Sequence, residues 1–207
     1  MPESRMRLGV LASGSGTNLQ AIIDATRDGS LDADVAVVVS DSQDAFALER
    51  ARAADISAVR VERGAHENAA AFNAEIRDSL RAHGVDLVVM AGYMRLLGTE
   101  VLDAFPNRVV NIHPALLPSF AGAHGISDAF EHGVKVTGVT VHFANEVFDD
   151  GAIIAQECVA IAANDTLESL EAKIHAVEHR LYPAALQLIA QGRVRVEGRR
   201  VRIAPDV

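Results

Sequence analysis

The chain has 207 residues, 49% hydrophobic and 23% charged, which suits one soluble α/β domain with a full core. Its net charge of −9 argues against a broad nucleic-acid footprint, and no apolar run reaches membrane-spanning length, so neither nucleic acid nor a membrane is expected as a partner. One cysteine, Cys158, excludes an intrachain disulfide and a cysteine-based metal cluster, and the lack of a long apolar N-terminal segment points to a cytoplasmic protein.

In chain order, Arg7 to Ala12 reads as an apolar strand. It runs into Ser13-Gly14-Ser15-Gly16-Thr17-Asn18 and then a helical pattern from Leu19 to Arg27. Strand, glycine-rich turn and helix start together form the setting in which backbone N–H groups cradle an anion. No Lys-Ser/Thr pair closes the turn, so it is not a Walker loop. Leu19 stands three residues after Gly16, so it is not G-x-G-x-x-G either. A phosphate on a small molecule fits better than a dinucleotide, although a plain tight turn would use the same residues.

The pattern next predicts a strand over Asp34–Ser40, a helix over Asp44–Ala54 and a short strand over Ile56–Val61. A helix over Glu67–His83 and a nearly all-apolar strand over Asp86–Ala91 follow. Continuous apolar strands alternating with helices predict a mostly parallel sheet covered on both faces, with ligands beyond the strands' carboxyl ends. Gly92-Tyr93-Met94-Arg95-Leu96-Leu97 follows the fourth strand at that edge. Such a loop suits a flat, partly apolar ligand with acidic groups, or simply folds onto the core.

A short helix near Thr99–Ala104 precedes Val109-Val110-Asn111-Ile112-His113-Pro114-Ala115-Leu116-Leu117-Pro118. Strand alternation puts Asn111 and His113 on one face, and the prolines end the ladder. An amide beside an imidazole can bind an oxyanion and move a proton. Taken alone, the segment reads more readily as a polar strand end with a hydrogen-bonded core histidine.

Beyond the loop from Ser119 to Gly125, a helix over Ile126–His132 is closed by Gly133. The strand Val136–Phe143 alternates, with Val139, Val141 and Phe143 on one face and Thr140 and His142 on the other. A polar turn, Asn145 to Gly151, leads to a strand over Ile153–Ile161, and the two strands suit an antiparallel pair or a sheet edge. Cys158 lies in that apolar run and is expected to be a small core residue. Asp165 and Glu168 suggest a capping box for the last long helix, and Pro183 should kink or break it. His175 and His179 have no third ligand near them and are expected to be partly solvated. Arg193–Glu197 and Arg200–Ile203, around Gly198-Arg199, predict a terminal hairpin.

Three separated segments resemble one family, the folate-dependent phosphoribosylglycinamide formyltransferases of purine synthesis. Leu11 to Ile22 resembles its phosphate loop, Ala91 to Leu97 its folate loop, and Asn111 to Pro118 its catalytic segment. The likeness continues through Val139-Thr140-Val141-His142-Phe143 and Asp149-Asp150-Gly151 to Glu178-His179-Arg180-Leu181-Tyr182-Pro183. It implies a single Rossmann-like α/β formyltransferase domain over 1–207: a mostly parallel twisted sheet, helices on both faces and a C-terminal hairpin. The phosphate-binding half would span about 6–91 and the folate and catalytic half about 92–190.

The resemblance implies direct formyl transfer from 10-formyltetrahydrofolate, a co-substrate, to the glycyl amine of 5'-phosphoribosylglycinamide, with no metal required. Asn111, His113 and Asp149 would be catalytic, with Asp150 the nearest rival of Asp149. Gly16, Thr17 and Asn18 would hold the phosphate, and Glu178 the ribose or glycinamide part. Met94, Arg95, Leu96 and Leu97 would line the pterin pocket, with Asn111, Asn145, Glu146, Val147 and Phe148 completing the folate side. Partners would be small-molecule substrates, on a monomer or homodimer. Ala121 and Ser127 stand where the family usually has proline and arginine, and Ala69 where an arginine is common. These departures bear on the 119–128 loop and on one peripheral folate contact. Two relatives share the Asn-Ile-His-Pro segment: formyltetrahydrofolate hydrolases, with an extra N-terminal domain, and methionyl-tRNA formyltransferases, with a C-terminal one. Neither addition is expected in 207 residues. A non-catalytic nucleotide-binding module would need only the glycine-rich loop and would leave Asn111, His113 and Asp149 without a task.

Overall fold

In the computed structural model residues 5–205 are described; positions 1–4 and 206–207 of the expected domain lie outside them. The chain forms β1 (Met6–Leu11), α1 (Thr17–Asp28), β2 (Ala33–Ser40), α2 (Phe46–Ala53) and β3 (Ser57–Arg60). It continues through α3 (Ala69–Ala82), β4 (Leu87–Met90), the single-turn α4 (Thr99–Leu102), β5 (Val109–His113) and α5 (Gly125–His132). β6 (Val136–Phe143), β7 (Ile153–Ala160), α6 (Leu167–Ala190) and the hairpin β8 (Val194–Glu197) and β9 (Arg200–Ile203) complete it.

The seven-stranded sheet has the order β3-β2-β1-β4-β5-β6-β7. The first five strands are parallel, and β6 and β7 are antiparallel to their neighbours. The sheet is mostly parallel and ends in an antiparallel edge, in agreement with the strand patterns. Its central strands are apolar because both faces are covered. On one side Leu19 and Ile22 of α1 meet Leu170, Ile174 and Tyr182 of α6; on the other, Phe72, Ile76 and Leu80 of α3 meet Val101 of α4. The chain leaves β1 toward β2 and β3, then returns to place β4 on the other side of β1. The carboxyl ends of β1 and β4 therefore adjoin at a switch point, where open α/β sheets hold ligands. Ser13 N–H donates to Gly92 O across it (3.1 Å).

Three local expectations are corrected. Cys158 is exposed, not a core residue. It sits on β7, the outermost strand, where alternation turns Val159 inward and Cys158 out. The capping box of α6 lies one residue later than expected: Thr166 Oγ1 accepts from Ser169 N–H, and Ser169 Oγ accepts from Thr166 N–H. Asp165 instead accepts from Ala162 N–H and Ser169 Oγ. Pro183 does not break α6, which runs on to Ala190. A mid-helix proline costs about 3 kcal/mol locally, and the surrounding burial of Ile174, Tyr182 and Leu186 outweighs it. The Tyr182 hydroxyl reaches the Met90 and Val110 carbonyls of β4 and β5, at 3.0 Å each, and pins the helix to the sheet.

Candidate active site

At the β1 edge, Gly16 adopts a left-handed conformation (φ 70°) and caps α1 with no side-chain partner for the first turn. A Cβ on Gly16 would lie 2.8 Å from Ala47 Cα, so glycine serves both the turn and the close approach of α2. Ala47 N–H and Arg50 Nε fix the loop from outside by donating to the Gly14 and Ser15 carbonyls. Amides of the first helical turn, with the helix dipole behind them, are thus left for an anion.

Asn18 is buried and donates to Glu178 Oε2 (3.2 Å), and His175 Nδ1 donates to the same oxygen (2.8 Å). The hydrogen bond to Glu178 pushes the His175 imidazole above its ordinary value, against the effect of burial. The sequence predicts only partial solvation for His175. Its side chain is 48% exposed, but it is ion-paired and faces the same cavity as Glu178. The signal is present in the sequence: residues three apart on a helix share a face.

The 92–97 loop is tied to the phosphate loop. Ser13 Oγ accepts from Met94 N–H (3.3 Å) and donates to Asp41 Oδ1 (2.7 Å), while Arg95 pairs with the other Asp41 oxygen. Met94 and Leu96 are exposed and Leu97 is largely buried against the second core. The Tyr93 hydroxyl is buried on the cavity wall, and burial pushes the phenol well above its ordinary value.

The polar cluster forms where β5 meets β6. Asn111 pairs across the ladder with His142, a residue that sequence reasoning places on a strand face but not in the site. His142 Nδ1–H donates to Phe143 O (3.0 Å), and its Nε2 lies 3.3 Å from Asn111 Nδ2. The antiparallel register that makes this pair is not visible in the sequence. His113 Nε2 lies 2.8 Å from Phe120 O. A carbonyl only accepts, so Nε2 carries a proton and Nδ1 is left facing Asp149 Oδ2 at 3.4 Å. Asp149 Oδ2 also accepts from Gly122 N–H (2.8 Å), and Oδ1 lies 3.5 Å from Asn111 Nδ2 and 3.6 Å from His142 Nε2. Burial pushes the Asp149 carboxyl up, but its contacts with His142, Gly122 N–H and His113 outweigh that and hold it below the ordinary carboxylate value. Asp150 is turned to the surface and paired with Arg199.

One cavity of about 580 Å³ joins the phosphate loop, the 92–97 loop, the Asn111–His113 strand end and Glu178. Asn145, Val147, Phe148 and Asp149 close its other wall. Glu146, between the lining residues Asn145 and Val147, is exposed and does not itself line the cavity. Asn145 Oδ1 accepts from Val147 N–H, and this turn carries Glu146 to the surface. The 119–128 loop, despite Ala121 and Ser127, delivers the Phe120 carbonyl and the Gly122 N–H to the cluster. Ala69 is the first residue of α3, which Asn68 caps. Among the described residues no group of three or more His, Cys, Asp or Glu could hold a metal ion, and no helix is long and apolar enough to cross a membrane.

A glycine-rich helix start and an amide, imidazole and carboxylate cluster share one cavity on a doubly wound sheet, an arrangement suited to a group-transfer enzyme. Residues 6–186 match the formyl transferase family, and the chain belongs to that family. Its relatives include the phosphoribosylglycinamide formyltransferase of Bacillus subtilis, 43% identical over 87% of this chain and 93% of that protein. The crystal structure of glycinamide ribonucleotide transformylase 1 from Symbiobacterium toebii superposes with a TM-score of 0.96 at 52% identity, covering 98% of this chain and 96% of that one. More distantly, a formyltetrahydrofolate deformylase from Pseudomonas syringae is 28% identical with a TM-score of 0.89, over 97% of this chain and 66% of that one.

Proposed function

We propose that the cavity transfers the formyl group of 10-formyltetrahydrofolate to the glycyl amine of 5'-phosphoribosylglycinamide. The observation that carries this reading is the meeting of the glycine-rich helix start with the Asn111, His113 and Asp149 cluster in one cavity. The ribotide phosphate sits on Gly16, Thr17 and Asn18 in the phosphate half, about 6–91. Glu178 takes its ribose or glycinamide part. The folate enters from the other half, about 92–190, between Met94–Leu97 and the 145–149 wall.

The amine attacks the formyl carbon, a C–N bond forms and the carbonyl oxygen becomes an oxyanion. Asn111 Nδ2 and the protonated His113 ring are its donors, and one such donor is worth about 3 kcal/mol of barrier. The Asn111 contact to Asp149, the longer of its two, is the one an oxyanion replaces. Asp149 accepts the amine proton, directly or through a water. His113 gives a proton to N10 as the N10–C bond breaks, and the 3.4 Å contact with Asp149 returns one to the ring. The net result moves one formyl group and one proton, and the chain's own residues supply every acid and base it needs. Both substrates are small, charged and water-soluble, which suits a cytoplasmic enzyme.

Incubation with 10-formyl-5,8-dideazafolate, with and without glycinamide ribotide, tests the reading. Deformylation that depends on the ribotide supports transfer. Equal release without it points to hydrolysis, the activity named for the deformylase whose fold this chain shares. No release in either case overturns the proposal.

A further inference from the structure

The β8–β9 hairpin lies beyond residues 6–186, the stretch that matches the formyl transferase family. It forms its own two-stranded sheet, with Val194, Val196 and Val201 packed against the main core. Its turn, Gly198-Arg199, reaches the loop between β6 and β7. There the Arg199 guanidinium makes a two-pronged pair with Asp150: Nη1 to Oδ2 and Nη2 to Oδ1, each 3.0 Å. Asp150 immediately follows Asp149, whose φ of 54° is left-handed.

The rest of that loop has few holds on its solvent side. Val147 and Phe148 are 59% and 54% exposed. Its far end is anchored by Phe143 N–H on Ala152 O (2.9 Å), and Gly151 is pressed so closely on Phe143 that a Cβ would meet the Phe143 carbonyl at 1.6 Å. Between that anchor and the exposed tip, the Asp150–Arg199 pair is the tether on the solvent side, opposite the inward contacts of Asp149. Successive residues of the loop thus face opposite ways: Asp149 inward to Gly122 N–H and the histidines, Asp150 outward to the hairpin.

We infer that Arg199 is a positioning residue, and that the C-terminal hairpin serves as a strut holding the Asp149 loop in its reactive arrangement. The inference rests on the role proposed above for Asp149. Exposed ion pairs are individually weak and screened by salt. A two-pronged pair adds direction to that attraction, and the required displacement is small. A carboxylate moved by about 1 Å loses up to about a hundredfold in rate, so partial release by Arg199 loss should cost about threefold to tenfold.

The test uses the full chain with Arg199→Gln, Arg199→Lys and the exchanged pair Asp150→Arg/Arg199→Asp. Two readouts are taken: steady-state kinetics, and the backbone amide resonance of Gly122, which reports its bond to Asp149. Arg199→Gln is expected to lower kcat with ribotide KM and Tm little changed, and to shift or broaden the Gly122 amide. Arg199→Lys and the exchanged pair should recover part of both. High salt should move the wild type toward Arg199→Gln and leave that variant as it was. An unmoved Gly122 amide together with wild-type kcat in Arg199→Gln overturns the inference. So does a kcat loss matched by a fall in Tm that the exchanged pair fails to restore. Asp149→Asn separates the two claims. If it keeps full activity, the role of Asp149 is wrong, while the Gly122 signal still judges the tether.

Discussion

Asp149 holds a left-handed backbone that costs a non-glycine residue about 1–2 kcal/mol, and it is recovered through contacts its carboxylate makes with Gly122, His113 and Asn111. Those contacts have a pH signature. The Asp149 carboxyl is depressed in the folded chain. An acid depressed on folding adds stability that is fully present above its unfolded value, about 3.9, and is lost as pH falls through the lower folded value. Asp149→Asn should therefore show a smaller fall in Tm than wild type as the pH drops below about 4, together with reduced kcat across the whole pH range. A parallel acid fall in both proteins would assign the depression elsewhere. Asn111→Ala and His113→Ala should each remain folded by circular dichroism and lose at least about a hundredfold in kcat. Near-wild-type turnover in either removes it from the chemistry. The choice between Asp149 and Asp150 is beyond the sequence. Two adjacent acids on one turn differ only in backbone conformation, and a positive φ at an aspartate leaves no mark in composition.

At the scale of elements, the phosphate loop has two glycines with different duties. Gly14 lines the cavity and has open space, with nothing within 4 Å, where a Cβ would stand, whereas Gly16 is left-handed and lies against α2. Gly14→Ala should raise ribotide KM with Tm nearly unchanged. Gly16→Ala should lower stability by about 1–2 kcal/mol or more, since strain and contact add. A denaturation curve beside each KM separates the two duties, and the reverse pattern would contradict the geometry. Strand and helix positions are legible where apolar runs and turns alternate cleanly, as from β1 to β4. The misplacements come where local signals tie or where a partner decides. Asp165 and Thr166 both suit a cap, and only the first full turn of α6 selects Thr166. Cys158 reads as core until β7 proves to be the edge.

For the whole molecule, the order β3-β2-β1-β4-β5-β6-β7 brings the glycine-rich loop and the 92–97 loop together, and the alternation rule alone puts Asn111 and His113 on one face. That much of the site is legible because each part is local and the doubly wound sheet supplies the rest. His142 and Gly122 are not, because an antiparallel register and a loop path bring them in. The link from Ser13 through Asp41 to Arg95 joins the two loops physically. Asp41→Ala should loosen the 92–97 loop and raise folate KM severalfold, with a smaller effect on ribotide KM. Equal effects on both would make Asp41 a general support of the fold.

The aromatic inventory lends the protein a built-in optical probe. The chain has no tryptophan and two tyrosines. Tyr182 is locked in the core with its hydroxyl on two strand carbonyls, while Tyr93 stands on the cavity wall with its hydroxyl unpartnered. Ultraviolet emission therefore comes from one phenol fixed in the core and one on the cavity wall. Tyr182→Phe, which costs about 1 kcal/mol for the lost hydrogen bond, leaves Tyr93 as the sole emitter. Binding of the non-absorbing ribotide and of the absorbing folate can then be followed separately on unlabelled protein, the first through a change in the surroundings of the phenol and the second through energy transfer to the pterin ring.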